Sequence, residues 1–209
     1  MGFGGWLFAS VYDRVLAGVE HAGLAERRRH LLASAGGRVV EIGAGTGANL
    51  PFYGSAVESI TVTEPEAPMA RRLARRLREY SHPVELVEAP AERLPLPDGQ
   101  FDTAVSTLVL CTVADPLRAL HEIWRVLKPG GRLLFIEHVR SDHPGVARWQ
   151  DRLNRINRVV AHGCNCNRSP LDTIRQAGFT VARVEHTDLP KAPPFLRPLI
   201  VGCATKTIT

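Results

Sequence analysis

The stretch Val39-Val40-Glu41-Ile42-Gly43-Ala44-Gly45-Thr46-Gly47 constrains this chain more than any other. A short apolar run of strand character ends in an acidic residue and three alternating glycines, where the pattern predicts that a strand turns into a helix. Gly43, Gly45 and Gly47 open backbone angles closed to other residues and let the main chain approach a ligand, with Glu41 as a nearby acceptor. Such a loop is the entrance to a nucleotide-cofactor site in an α/β fold. A single glycine there would need no more than a packing explanation; three in alternation call for a ligand.

Spacing narrows the ligand. Dinucleotide loops favour G-x-G-x-x-G with a helix N-terminus aimed at a pyrophosphate. Here the pattern is E-x-G-x-G-x-G, which suits S-adenosylmethionine: it carries no phosphate, so close backbone contact matters more than an anion site, and an acidic residue matches its ammonium group. Ala44, Pro65 and Met69 complete the expected cofactor contacts near this loop.

The chain has 209 residues, 44% of them hydrophobic, which is ordinary for a globular chain with a substantial core. We read one domain over residues 1–209, divided into an N-terminal helical lid (1–37), a cofactor-binding core (38–138) and acceptor-side helices with the last two strands (139–209). No apolar run reaches the roughly 20 residues needed to span a bilayer, and the first eight residues lack a signal-peptide pattern. A cytoplasmic location without a stable membrane anchor is expected. Trp6 stands where a myristoylation motif wants Ser or Thr. The four cysteines, Cys111, Cys164, Cys166 and Cys203, are irregularly spaced and read as reduced thiols.

A net charge of +5 raises nucleic acid or an acidic surface as a partner. Arg71, Arg72, Arg75, Arg76 and Arg78 cluster, but on a helix they spread around Leu73 and Leu77 as a solvated outer face. Aromatic residues are not interleaved with them as stacking platforms, so no nucleic-acid partner is expected.

From residue 38 to about 138, β-rich runs alternate with helical patterns, the signature of a mostly parallel sheet covered on both faces. Strands are expected at 38–42, 59–63, 84–87, 103–107 and 132–137, and helices at 67–80 and 116–127. Asp115 and Pro116 supply an N-cap and a pre-set first turn, and Lys128-Pro129-Gly130-Gly131 a stop. Upstream, residues 6–32 read as one or two helices covering the sheet's open edge. Downstream, 146–160 is a basic helix, Ser169-Pro170 starts another ending at Gly178, and 179–185 and 199–204 are strands pairing antiparallel. The proline-rich connection between them is a surface loop. The fold is thus α/β: a Rossmann-like, seven-stranded, mostly parallel sheet with an antiparallel C-terminal strand.

Glu64 ends the second strand roughly 20 residues after the glycines, the distance at which an acidic side chain reaches ribose hydroxyls in doubly wound folds. Pro65 then forces a turn. The order E-x-G-x-G-x-G, acidic strand end, Ala91-Glu92-Arg93-Leu94-Pro95, Phe101-Asp102 and His121-Glu122-Ile123-Trp124-Arg125-Val126-Leu127-Lys128-Pro129-Gly130-Gly131 resembles the class I S-adenosylmethionine-dependent methyltransferases over residues 38–138. That resemblance implies that Ala91 and Glu92 bracket the adenine and that Thr107 and Leu108 lie against the cofactor. Pro90 departs from it: family members often carry Asp there, so the adenine amino contact falls to the Ala91 backbone or Glu92.

A finer resemblance extends to the C-terminal part. Ser106-Thr107-Leu108-Val109-Leu110-Cys111, Phe135-Ile136-Glu137-His138-Val139 and Gly163-Cys164-Asn165 after His162, followed by Arg168, look like the methyltransferase-like family that S-methylates alkyl thiols. Its animal members carry an N-terminal hydrophobic membrane anchor, which is not expected here; Trp6, Leu7 and Phe8 read as an apolar lid over the site, with contact to a bilayer surface as the alternative. Cys111, Cys164 and Arg168 are expected in the acceptor pocket wall.

Methyl transfer is an in-line displacement that needs positioning and water exclusion but no covalent nucleophile. A thiol, with an unperturbed pKa near 8.5, ionises with modest help, whereas an alcohol or amine usually wants a general base. His138 follows the fifth strand at the carboxyl edge and is the candidate base, with a hydrogen-bonded structural histidine as the competing reading. Glu137 either orients it or caps a loop. His162, Cys164 and Cys166 have ligand chemistry but lack a fourth partner, so no metal is expected. The resulting expectation is a methyltransferase with a small-molecule acceptor, preferably a thiol. A quinone, phenol or phospholipid head group is the alternative within the class, and a non-catalytic S-adenosylmethionine-binding protein the alternative outside it. Oligomeric state is not legible.

Overall fold

The computed structural model describes Gly18 and residues 20–80, 83–161, 163–189 and 191–207. Trp6, Leu7, Phe8 and His162, together with most of the expected N-terminal helical region, lie outside the described residues. Seven strands form one sheet: β1 (Gly37–Ile42), β2 (Val57–Thr63), β3 (Val84–Val87), β4 (Phe101–Thr107), β5 (Leu127–His138), β6 (Thr180–Asp188) and β7 (Pro198–Thr205). Their order is β3-β2-β1-β4-β5-β7-β6. β1 to β5 run parallel, and β7 is inserted antiparallel to both β5 and β6. The order reverses between β1 and β4, and in open α/β sheets ligands bind beyond the carboxyl ends of the strands at such a reversal.

Strand composition follows from burial on both faces. In β1, Val39 packs on one face and Val40 and Ile42 on the other, so the run is apolar throughout rather than alternating. In β5, Leu133 and Phe135 enter the first core, while Leu134 and Ile136 enter the second. The helices are α1 (Ala25–Leu32), α2 (Ala67–Leu77), α3 (Pro116–Val126), α4 (Pro144–Val160) and α5 (Pro170–Gln176). Asp115 caps α3, its side chain accepting the Arg118 amide at 3.0 Å. None is long and apolar enough to cross a membrane among the described residues.

Three local expectations are corrected. The glycine loop does not open an α-helix; it continues through turns into a single 3₁₀ turn at Leu50–Phe52. Positive φ at Gly45 and Gly47 and the missing amide of Pro51 leave too few helical positions before β2. β5 starts directly at Leu127, with Lys128-Pro129-Gly130-Gly131 inside the strand as an irregularity where Phe101 pairs with Leu127 and Thr103 with Arg132. Finally, α1 packs on β5 and β7, a face of the sheet rather than its edge, and Leu31 and Leu32, with Leu24 just before the helix, enter the second core.

The insertion of β7 requires glycine at position 202. A Cβ built there would lie 2.5 Å from the Arg183 carbonyl oxygen and 2.5 Å from Phe135 Cζ. Gly202→Ala is therefore expected to destabilise the fold by about 1–3 kcal/mol through overpacking. Urea unfolding measures this, and a change under about 0.5 kcal/mol would show that β7 is not so tightly seated.

Candidate active site

The glycine loop is strapped to the end of β2. Gly43 N–H donates to Thr63 Oγ1 (3.3 Å), Ala44 N–H to the Thr63 carbonyl (2.9 Å) and Gly45 N–H to Glu64 Oε2 (2.8 Å). The other Glu64 oxygen accepts the Glu66 amide at 2.9 Å. Burial pushes the Glu64 carboxyl above its usual range, against the pull of those two amides. Gly43, Gly45 and Gly47 all take positive φ. A Cβ at Gly43 would sit 2.8 Å from Val109, so the loop after β4 is packed onto the loop after β1. A Cβ at Gly45 meets nothing within 4 Å, so glycine is needed there for its φ of +59° and its backbone faces open space. Met69 is buried on α2 and Pro65 is exposed.

Beneath the loop lies a buried polar network. Glu41 accepts from Asn49 Nδ2 (3.0 Å) and Tyr53 OH (2.7 Å), so its carboxylate is held under the loop by protein donors. Burial raises its pKa to about 7, offset in part by Tyr53, Arg28 and Asn49. Arg28 of α1, 4% exposed, donates to Asn49 Oδ1 (2.7 Å), Thr107 Oγ1 (2.9 Å) and Glu20 Oε1 (3.1 Å). Asn49 also donates to Thr107 at 3.0 Å. The ends of β1 and β4 are thus joined through a helix charge. Arg28, Asn49 and Tyr53 escape a sequence reading. The one signal for Arg28 is its place in the apolar stripe of α1, four residues after Leu24 and three or four before Leu31 and Leu32.

After Thr107, Leu108 takes φ +61°, a conformation that costs about 1–3 kcal/mol in a bulky residue, and its amide donates to Ile136 O at 2.7 Å. The turn aims the following amides at Glu137, which accepts from Ser106 Oγ (2.7 Å), Val109 N (3.1 Å) and Cys111 N (3.4 Å). Glu137 is thus the cap of this loop; burial raises its carboxyl to about 7. Ala91 is buried in the core beside Leu94, and Glu92 Oε1 accepts the Ala114 and Asp115 amides at 2.8 and 3.2 Å.

His138 closes β5. The ring is 8% exposed, its Nδ1 has no hydrogen-bond partner among the described residues, and the carbonyls of Pro198 and Leu196 lie against it. Burial lowers its pKa to about 4, so it is neutral near pH 7. Residues alternate faces along a strand, so His138 shares its face with Ile136, as Thr107 does with Val105 and Glu41 with Val39, all on the second core. Cys111, Cys164 and Cys166 pack together against Phe195 and Leu196. The hydrogen bond to Cys164, then burial, pushes the Cys111 thiol well above its ordinary value. Arg168 holds the same turn by donating to the Leu110 and Val113 carbonyls at 2.7 and 2.8 Å. No metal-holding group of three or more His, Cys, Asp or Glu forms among the described residues.

Fold and site together define a methyltransferase: a glycine loop with open space at Gly45, a buried acidic residue ending β2 and a reversal point between them fit S-adenosylmethionine. The methyltransferase domain family matches residues 40–135. The human thiol S-methyltransferase TMT1A is 33% identical over 172 residues, spanning 80% of this chain and 70% of its own length. A phosphatidylethanolamine N-methyltransferase of Cereibacter sphaeroides is 31% identical over 153 residues, 72% of this chain and 74% of its own. Among solved structures, a SAM-dependent methyltransferase of Thermotoga maritima superposes with a TM-score of 0.72 at 28% identity, covering 97% and 98% of the two chains. The chain belongs to the S-adenosylmethionine-dependent methyltransferase family that includes the TMT1 thiol S-methyltransferases.

His138 gives stability a distinct pH dependence. Its folded pKa of about 4 lies below the ordinary 6.5, so as pH falls from 6.5 towards 4 the unfolded chain takes up a proton that the folded chain refuses. Stability from this group is complete above about 6.5 and is lost as pH falls towards 4. Glu41 and Glu137 act oppositely between about 4.5 and 7, where the folded chain keeps protons that the unfolded chain releases, so the variant must be compared with the parent at each pH. In urea unfolding, His138→Gln is expected to gain about 2 kcal/mol relative to the parent on going from pH 7.5 to 5. A constant difference between them would show that His138 is not held neutral by burial.

Proposed function

We propose that this methyltransferase transfers its methyl group to the sulfur of a small thiol, with His138 receiving the acceptor's proton. The observation that carries the reading is the neutral, buried imidazole set at the carboxyl edge on the face of Thr107, with the Pro198 and Leu196 carbonyls against it and no hydrogen-bond partner for Nδ1 among the described residues. An imidazole held at about 4 is a weak base. It suits an acceptor that needs modest help, as a thiol does, and not an alcohol or amine that must lose a proton against a large difference in pKa. The similarity to TMT1A points the same way.

When bound, S-adenosylmethionine supplies a methyl group on a sulfonium, the electrophile of an in-line displacement. The chain's residues bind, orient and exclude water around it. In this reading Gly43, Ala44, Gly45 and Gly47 let the backbone approach the amino-acid end. Glu64, with one backbone donor on each oxygen, keeps lone pairs for the ribose hydroxyls. Ala91 gives the adenine an apolar wall, and Glu92 fixes the loop opposite by holding the Ala114 and Asp115 amides. Arg28 places a cation beside the glycine loop, where a carboxylate needs one. Glu41 acts as a positioning residue through Asn49 and Tyr53. On the acceptor side, S-adenosylmethionine held by these residues would supply the methyl group for the new C–S bond and would keep the electron pair of its own S–CH₃ bond. The acceptor's S–H proton is released as the C–S bond forms, and the neutral His138 imidazole takes it once acceptor entry uncovers the ring. Cys111, Cys164 and Arg168 shape the wall beside it.

An acceptor panel followed by adenosylhomocysteine release tests this reading, comparing a small alkyl thiol with a phenol, a quinone and phosphatidylethanolamine. The thiol is expected to be the fastest. A higher kcat/KM for any of the others would remove the thiol assignment. Glu64→Ala is expected to weaken S-adenosylmethionine binding about tenfold or more by calorimetry, the loss of two hydrogen bonds to a charged group. Unchanged affinity would remove Glu64 from the ribose site.

A further inference from the structure

The helix α4 is built inside out. Its inward positions are Ala147, Gln150 and Asn157, and two of these three are polar. Gln150 Oε1 accepts the Ser141 amide at 2.8 Å, while Nε2 donates to the carbonyls of Val139 (3.1 Å) and Cys166 (2.9 Å). Asn157 donates to the Cys164 carbonyl at 2.8 Å. Large apolar side chains instead face outward: Trp149 is 56% exposed, Ile156 62%, Val159 80% and Val160 72%. These four are the exposed large hydrophobic residues of the described chain. At about 100° per residue, Trp149, Ile156 and Val160 fall on one line with the half-buried Leu153, and Val159 flanks it. Arg148, Arg152, Arg155 and Arg158 form the adjoining row, all exposed. The helix has a single acidic residue, Asp151, which is paired with Arg140 and accepts from Asn167 at 3.0 Å.

We propose that α4 is a membrane-docking surface that lays its apolar line on an anionic bilayer, with the arginine row against the lipid phosphates. The buried amides decide the orientation: turning the apolar line inward would strand Gln150 and Asn157 and the backbone groups they satisfy, so the stripe must find its partner outside the fold. Charge selects the partner. An apolar line bordered by a row of arginines along a helix of about 25 Å is the pattern of an interfacial helix, shallowly seated and drawn by negative headgroups. Docking is peripheral and spans nothing. α4 joins the end of β5 to the cysteine turn, so its surface sits beside the acceptor side of the site and favours acceptors that partition into lipid. The inference goes beyond thiol methylation and does not rest on it, because vesicle binding is measured without cofactor or acceptor.

Co-sedimentation of the full chain with phosphatidylcholine vesicles, with and without about one quarter phosphatidylglycerol, tests it. Binding is expected on the anionic vesicles, reduced by salt, with a blue shift of tryptophan fluorescence that Trp149→Phe abolishes. Substituting Trp149→Ser, Ile156→Ser and Val160→Ser together is expected to lower binding at least about tenfold, and Arg152→Gln with Arg155→Gln to do the same, with calorimetric S-adenosylmethionine binding retained. No binding to anionic vesicles would overturn the proposal, as would full binding by the triple serine variant. A dimer of the parent chain that the serine variant turns into monomer, without vesicle binding, would assign the face to a second copy instead.

Discussion

The buried contact among Glu41, Asn49, Arg28 and Thr107 governs the carboxyl edge of the sheet, because it fixes the loop after β1 against the end of β4 where the strand order reverses. An isolated buried carboxylate would be costly, and here burial does push Glu41 up to about 7. Hydrogen bonds from Tyr53 and Asn49 and the nearby guanidinium offset that cost. Arg28 in turn is buried only because Glu20, Asn49 and Thr107 surround it. Removing one member leaves the others unsatisfied, which makes the network a cooperative clamp rather than a set of separate bonds. The glycine loop above it, tied to Thr63 and Glu64 through its amides, turns Gly45 toward open space.

A second clamp organises the loop after β4. Glu137 gathers Ser106 and the amides of Val109 and Cys111, and the strained Leu108 supplies the turn that delivers them. His138, the next residue, points to the opposite face because successive strand residues alternate. One residue thus caps the loop and its neighbour faces the second core, on the side of Ile136. Leu196 links the two regions, touching both His138 and the cysteine cluster. The polar inner face of α4 completes this edge by tying the cysteine turn to the end of β5.

What was legible in sequence was whatever local chemistry decides. Strands buried on both faces read as apolar runs, Asp115-Pro116 marked the start of α3, and the glycines and Glu64 stood at a spacing that the structure closes with one hydrogen bond from Gly45. The antiparallel β7 was legible in outline. Features set by distant contacts were not. Nothing local announces that Arg28 reaches Thr107; for Glu137 the sequence offered a loop cap as one of two roles, and the contacts with Ser106, Val109 and Cys111 select it. The helix expected after Gly47 failed because positive φ and Pro51 outweigh the pattern. The basic character of α4 was visible, but not its polarity, since only the fold shows which side Gln150 and Asn157 occupy.

The role of His138 is tested most directly by the single-turnover rate of methyl transfer to a small alkyl thiol, measured from pH 5 to 10 with the cofactor saturating. If the neutral imidazole takes the acceptor's proton, the rate levels off well below the thiol's own pKa near 8.5, because the proton acceptor is already in its competent form. A rate that climbs tenfold per pH unit up to that pKa would mean that only thiolate formed in solution reacts, and would contradict the account.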